Sequence, residues 1–248
     1  MNAPVVLVTG ALTGIGRATA LAFARKGARV VVSGRHEDAG QALAAELRGV
    51  GAEAEFVQAD VRLEDEVREL IDRTVARFGR LDVAVNNAGT EGKPGPLTEQ
   101  SAEAYSAIFD TNVLGTLLSL KHELRVMQPQ NSGSIVNLSS IVGHKALPGV
   151  ALYVASKHAV EGLTRAAALE GAAFGVRVNA VAPGPIETGM LDRFAGGAEA
   201  KAGLLATVPV KRAGTPEEIA EAIMFIASDA AAFVTGHILA VDGGMTVQ

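Results

Sequence analysis

Short, uninterrupted apolar runs recur along this chain, and each is followed by a turn and then by a stretch whose apolar positions return every three or four residues. Val5 to Val8 is the first run; it ends at Thr9-Gly10, and an Ala-rich helical pattern follows from about Gly16 to Gly27. Continuous apolar runs read as strands buried on both faces, and the longer period as amphipathic helices. The pattern predicts further strands at 29–33, 54–58, 83–86, 134–138, 177–181 and 237–241. Helices are predicted at about 36–48, 63–78, 101–127 and 153–174. A last helix, to about Ser228, opens at Thr215-Pro216-Glu217-Glu218, which reads as an N-cap, a first-turn proline and a capping-box glutamate. Seven strands alternating with helices predict a doubly wound α/β three-layer sandwich with a seven-stranded parallel sheet. No composition break divides the alternation, so one domain over residues 1–248 is expected. Residues 189–212, with Gly196-Gly197-Ala198, form the least regular stretch and are expected to be a mobile segment on the substrate side.

Composition narrows the function classes. The chain is 48% hydrophobic and carries a net charge of −5 with no basic run, which argues against nucleic acid or an anionic membrane surface as partner. It has no cysteine, so disulfides and thiolate chemistry are excluded. The start Met1-Asn2-Ala3-Pro4 lacks a basic leader, and no apolar run approaches the ~18 residues of a membrane span. A soluble, cytoplasmic protein is expected. His36, His122, His144, His158 and His237 show no metal-ligand spacing, so no catalytic metal is expected.

Candidate chemistry concentrates in a few stretches. Tyr153 and Lys157, at i and i+4, would share one helical face, and an ammonium beside a phenol favours the phenolate and lowers its pKa. Ser140 stands thirteen residues upstream of Tyr153, at the end of an apolar run. Ser139 is its rival, yet neighbours on a strand face opposite ways, so one of the two can serve a site. The turn after the first strand, Thr9-Gly10-Ala11-Leu12-Thr13-Gly14-Ile15-Gly16, would let backbone approach a pyrophosphate at a helix N-terminus. Its glycine spacing departs from the generic dinucleotide fingerprint, and glycines serving only a tight turn are the alternative.

These motifs, with Asn86-Asn87-Ala88-Gly89, Asn112 and Pro183-Gly184, lie in the order and at about the spacing of the short-chain dehydrogenase/reductase family in its compact form. The chain resembles that family over essentially its whole length. The resemblance implies proton exchange between Tyr153 and a substrate oxygen, with Lys157 lowering the tyrosine's pKa and bonding the nicotinamide ribose. Ser140 would polarise the carbonyl, and Asn112 would support a water path; the alternative for Asn112 is a helix-interior amide bonded to backbone. The resemblance further implies that Leu12, Thr13, Gly14 and Ile15 lie along the phosphates, and that Asn87, Ala88 and Gly89 pass beside the cofactor. Asp60 would accept from the adenine amino group with Val61 beside it, a helix N-cap being the other reading of Asp60. Pro183, Gly184, Ile186 and Thr188 would hold the carboxamide end.

After the second strand, a carboxylate would bond a ribose 2′-hydroxyl, whereas an arginine can accept a 2′-phosphate. Here Ser33-Gly34-Arg35-His36 offers no carboxylate, so NADP(H) is expected with NAD(H) as the alternative. Val142, Leu147 and Met190, with Ile141, Leu191 and Phe194, could line an apolar substrate pocket, and His144 and Lys145 fall where its wall would run. The small residues Ala155, Ala159, Gly162, Ala166 and Ala167 would admit a second helix, and the resemblance implies a homotetramer. The function expected is interconversion of a ketone and a secondary alcohol. A non-catalytic dinucleotide-binding regulator and another Rossmann-like enzyme such as a methyltransferase are the alternatives.

Overall fold

A computed structural model describes residues 3–248, and the parallel sheet at its centre has the strand order β3-β2-β1-β4-β5-β6-β7. The strands are β1 (Val5–Thr9), β2 (Arg29–Gly34), β3 (Ala54–Gln58), β4 (Val83–Asn86), β5 (Gly133–Leu138), β6 (Val176–Pro183) and β7 (Ile238–Val241). Val5, Val6 and Val8 are fully buried, as a strand covered on both faces requires. On one face α1 (Gly14–Arg25), α2 (Glu37–Gly49) and α9 (Pro216–Ala227) close over Val6, Val8, Val30 and Val32. On the other, α3 (Glu64–Phe78), α5 (Gly115–Gln130) and α6 (Ala151–Ala172) close over Leu7, Val31, Ala84 and Ile135.

The long helix expected at 101–127 is built in three parts. Ser101 caps α4 (Ala102–Phe109), a π-helical turn spans Asp110–Leu114, and α5 continues to Gln130. The segment 189–212 also differs from its irregular sequence pattern, because it folds into α7 (Gly189–Ala195) and α8 (Ala198–Thr207). Thr188 caps α7 through its side chain, and Gly196, at φ 72°, ends it. Thr215 and Glu218 form the expected capping box.

The chain reverses the direction in which it lays down strands between β1 and β4, so the loops after these two strands diverge and leave a crevice at the carboxyl edge. Asn87 stitches the crevice floor: its Nδ2 donates to Thr9 O at 3.1 Å and Gly10 O at 2.8 Å. A Cβ on Gly10, whose φ is +60°, would sit 2.7 Å from Ala88 Cα, and one on Gly16 would sit 2.4 Å from Asn87 Nδ2. The two glycines are therefore required by the contact between the loops.

Candidate active site

Beside this crevice lies a cavity of about 290 Å³, bordered by Ser140, Tyr153, Lys157, Pro183, Ile186 and Thr188. Each side chain arrives there for a local reason. Ser140 leaves β5 with extended backbone and caps a single 3-10 turn, Ile141–Gly143, by accepting from Val142 N. Tyr153 and Lys157 lie one turn apart on α6, which begins at Ala151, two residues ahead of the expected start. Lys157 Nζ donates to Leu138 O at 2.7 Å and stands 5.6 Å from the Tyr153 ring centroid.

The electrostatics differ from the sequence expectation. Burial pushes the Tyr153 phenol up to about 12; the hydroxyl of Ser140 offsets part of this, and the Glu91 carboxylate adds to the rise. Burial also pushes Lys157 down to about 8. Desolvation therefore dominates, and the phenol keeps its proton at neutral pH.

Asn112 occupies the π turn, and its side chain bridges the loop after β4 to helix α6. Its Oδ1 accepts from Thr90 N at 2.8 Å, while Nδ2 donates to Thr90 O at 2.8 Å and Ser156 Oγ at 3.0 Å. Ser156 Oγ donates in turn to Tyr153 O at 2.8 Å. Asn112 is thus bonded to backbone, as its plainer reading held, but to the backbone that follows Gly89.

The proposed phosphate turn has its glycines in place. Gly14 has φ +54°, and Thr13, the residue before α1, provides no side-chain cap, so the first N–H groups of α1 have no side-chain partner. Leu12 packs over Gly34, where a Cβ would sit 2.8 Å from its side chain. Arg35 is exposed just beyond β2. Asp60 does not cap α3, whose N-cap is Leu63. Both of its carboxylate oxygens instead accept from Arg62, at 2.9 Å from Nε and 2.5 Å from the terminal nitrogen, and this bond holds its pKa down. Val61 is buried in a small cluster with Val67 and Leu118. Val142 and Met190 line the cavity, as do Ile141, Leu191 and Phe194; Leu147 lies at its more exposed rim. Lys145 borders the cavity and His144 does not. Ala167 is buried against the sheet, so it leaves the row of small residues facing outward.

Two carboxylates escaped sequence reasoning. Glu91, buried at the cavity wall, accepts from Arg193 Nε of α7 at 2.8 Å. Glu161 is 1% exposed beneath the Ser140 loop. Its place, i+4 from Lys157 and i+8 from Tyr153, was a signal for the same helical face. Among the described residues no three His, Cys, Asp or Glu side chains gather as a metal site would need. No described helix is long and apolar enough to cross a membrane.

This geometry agrees with the relatives of the chain. A family profile described as enoyl-(acyl carrier protein) reductase matches residues 10–246. The cis-4-hydroxycyclohexanecarboxylate dehydrogenase of Sinomonas cyclohexanicum is 46% identical over 98% of this chain and 96% of its own. The chain belongs to the short-chain dehydrogenase/reductase family. Among other members, the A-factor type gamma-butyrolactone 1′-reductase (1S-forming) of Streptomyces virginiae is 46% identical over 98% of this chain and 95% of its own. A solved structure of ElxO with NADP bound superimposes with a TM-score of 0.92 at 38% identity, covering 100% of both chains. The seven-stranded sheet with helices on both faces is the architecture of a short-chain dehydrogenase/reductase, and the chain is accordingly an oxidoreductase of CH–OH and C=O groups that uses a nicotinamide dinucleotide.

Proposed function

We propose that this short-chain dehydrogenase/reductase interconverts a ketone and a secondary alcohol with NADP(H), with Tyr153 as the general acid and base. The observation that carries the reading is the convergence of Ser140, Tyr153 and Lys157 on one cavity beside the β1–β4 crevice. The nicotinamide supplies the hydride. Ser140 holds the substrate oxygen and Tyr153 exchanges a proton with it. With its proton Tyr153 can donate to the oxygen of a ketone, and without it can accept from an alcohol, so one residue serves both directions. Lys157, Gly14, Ile15, Asn87, Ala88, Gly89, Gly184, Ile186 and Thr188 line the path proposed for the cofactor. Residues 189–212, now α7 and α8, are proposed as the cover over the substrate.

Cofactor preference follows from charge at the far end of the crevice. Arg35 lies close enough to Asp60 to lower its pKa, and Arg62 already neutralises that carboxylate. Two guanidinium groups around one paired aspartate suit a 2′-phosphate. The walls formed by Ile141, Val142, Leu191 and Phe194 suit a compact apolar ketone, and a cyclohexanone bearing one polar substituent is the first class to try, given what the S. cyclohexanicum relative is named for. Exposed Leu169 and Phe233, and the outward Ala155, Gly162 and Ala166 of α6, are consistent with a homotetramer, which sedimentation would test.

The test is a panel of cyclic and open-chain ketones assayed with NADPH and NADH. Tyr153→Phe should abolish turnover by about 10²-fold or more while NADPH still binds, since a general acid contributes about that much. Arg35→Ala should weaken NADPH about tenfold and leave NADH nearly unchanged. Ordinary activity in the first, or equal weakening in the second, would refute the corresponding assignment.

A further inference from the structure

Glu161 is the most buried charged side chain near the site, and all three groups that bond it can be named. Oε1 accepts from Ser139 Oγ at 3.0 Å and lies 3.0 Å from His144 Nδ1, while Oε2 accepts from Arg165 at 3.1 Å. Two of these partners belong to the loop that carries Ser140. Ser139 immediately precedes it, and His144 follows the 3-10 turn that Ser140 caps. The backbone of the same turn rests on the carboxylate: a Cβ on Gly143 would lie 2.3 Å from Glu161 Oε1 and 2.5 Å from Ser139 Oγ. Arg165 comes from α6 itself, and its side chain is 56% exposed.

A buried carboxylate must be matched by donors or it destabilises the fold. Here the matching is done mainly by the loop, so the loop's position is set by the carboxylate. Glu161, Lys157 and Tyr153 lie on successive turns of one helix, and the first two reach the end of β5 and the loop that follows it. Lys157 takes the Leu138 carbonyl and Glu161 the side chains on either side of Ser140. At its far side the loop is also pinned, because Lys145 Nζ donates to the Met245 carbonyl.

We propose that Glu161 is a positioning residue that sets the distance between the Ser140 hydroxyl and the Tyr153 phenol by holding Ser139 and His144 against α6. The inference rests on the assignment of Ser140 and Tyr153 to catalysis. It gives Ser139 a role as well: that hydroxyl, bonded to Glu161, ties the catalytic serine to the tyrosine's helix.

The contrast among the three donors provides the test. Ser139→Ala and His144→Ala remove loop donors, whereas Arg165→Ala removes the donor that does not touch the loop. The first two should each lower kcat about tenfold in the ketone assay, with the NADPH dissociation constant within about twofold of wild type, because misplacement of a reacting group acts on the chemical step. Arg165→Ala should leave kcat unchanged. Glu161→Gln keeps a carbonyl oxygen for the loop and should retain kcat within about threefold, while Glu161→Leu should lose about thirtyfold. A purely structural carboxylate would make the losses follow the melting temperature in all variants, including Arg165→Ala, and that pattern would overturn the proposal. Wild-type kcat in both Ser139→Ala and His144→Ala would overturn it too. Ser140→Ala, run in parallel, separates the two failures: if it retains turnover, the catalytic assignment itself has failed.

Discussion

Replacing Glu123 by glutamine should stabilise the protein, and by an amount that grows with pH. Glu123 lies on α5 with no exposed surface. Asn86 Nδ2 donates to its Oε2 at 2.9 Å and to Asn137 Oδ1 at 3.0 Å, and Asn137 Nδ2 continues to Thr164 Oγ1 at 2.9 Å. Glu123 Oε1 and Asn86 Oδ1 have no partner in the protein. Burial pushes the carboxyl up to about 8 from an ordinary 4.5, against the opposing pull of the Asn86 amide. Between these values the folded protein holds a proton that the unfolded chain has released, so stability falls as pH rises, by about 1.4 kcal/mol per pH unit. The stabilising effect of the neutral acid is complete below about 4.5 and lost by about 8, a total on the order of 5 kcal/mol. Glutamine copies the shape of the neutral acid and does not titrate. Urea unfolding of both proteins at several pH values would give the difference directly: under about 1 kcal/mol of titration-linked gain at pH 5, rising to about 4–5 kcal/mol at pH 8. Parallel stability curves would refute the reasoning.

Lys157→Met should raise the melting temperature at pH 7 while removing activity. Burial pushes this ammonium down to about 8 from 10.5, so its destabilising effect is complete below about pH 8 and fades towards 10.5; thermal melts at pH 7 and pH 10.5 check the sign. Arg193→Ala frees the buried Glu91 from its bond to α7, and KM for the ketone should rise about threefold to tenfold while NADPH binding changes less. Steady-state kinetics beside an NADPH titration decide this, and an unchanged KM would remove the ion pair from any role in holding the cover.

Much of the fold was legible because its causes are local. Continuous apolar strands announce a sheet covered on both sides, and Thr215 with Glu218 announces a helix start, through bonds made within three residues of sequence. The π turn at Asp110–Leu114 carries no comparable local signal: the bonds that use it run from Asn112 to Thr90 and Ser156. The order in α7 and α8 was hidden for a similar reason. Gly196 and Gly197 read as irregular chain, whereas Gly196 takes the left-handed conformation that ends α7. Among site residues, Ser140, Tyr153 and Lys157 were visible by spacing, yet the direction of the Tyr153 shift was not. A lysine one turn away can be read from a sequence, but how completely both groups are desolvated depends on what the rest of the chain lays over them. Glu91 and Glu161 were missed because an isolated glutamate on a helix or loop reads as solvated until the topology buries it.

The Asn87 stitch to Thr9 and Gly10 joins positions 78 and 77 residues apart, and the tie from Lys157 to Leu138 connects two further strand and helix segments. The Asn87 bonds cannot form until β1 and β4 lie side by side, and in a parallel sheet no hairpin brings these strands together early. The crevice is therefore expected to form late, and the order can be tested by refolding. On dilution from denaturant, recovered turnover should serve as a stricter clock than recovered helicity, because it starts only when distant segments have docked.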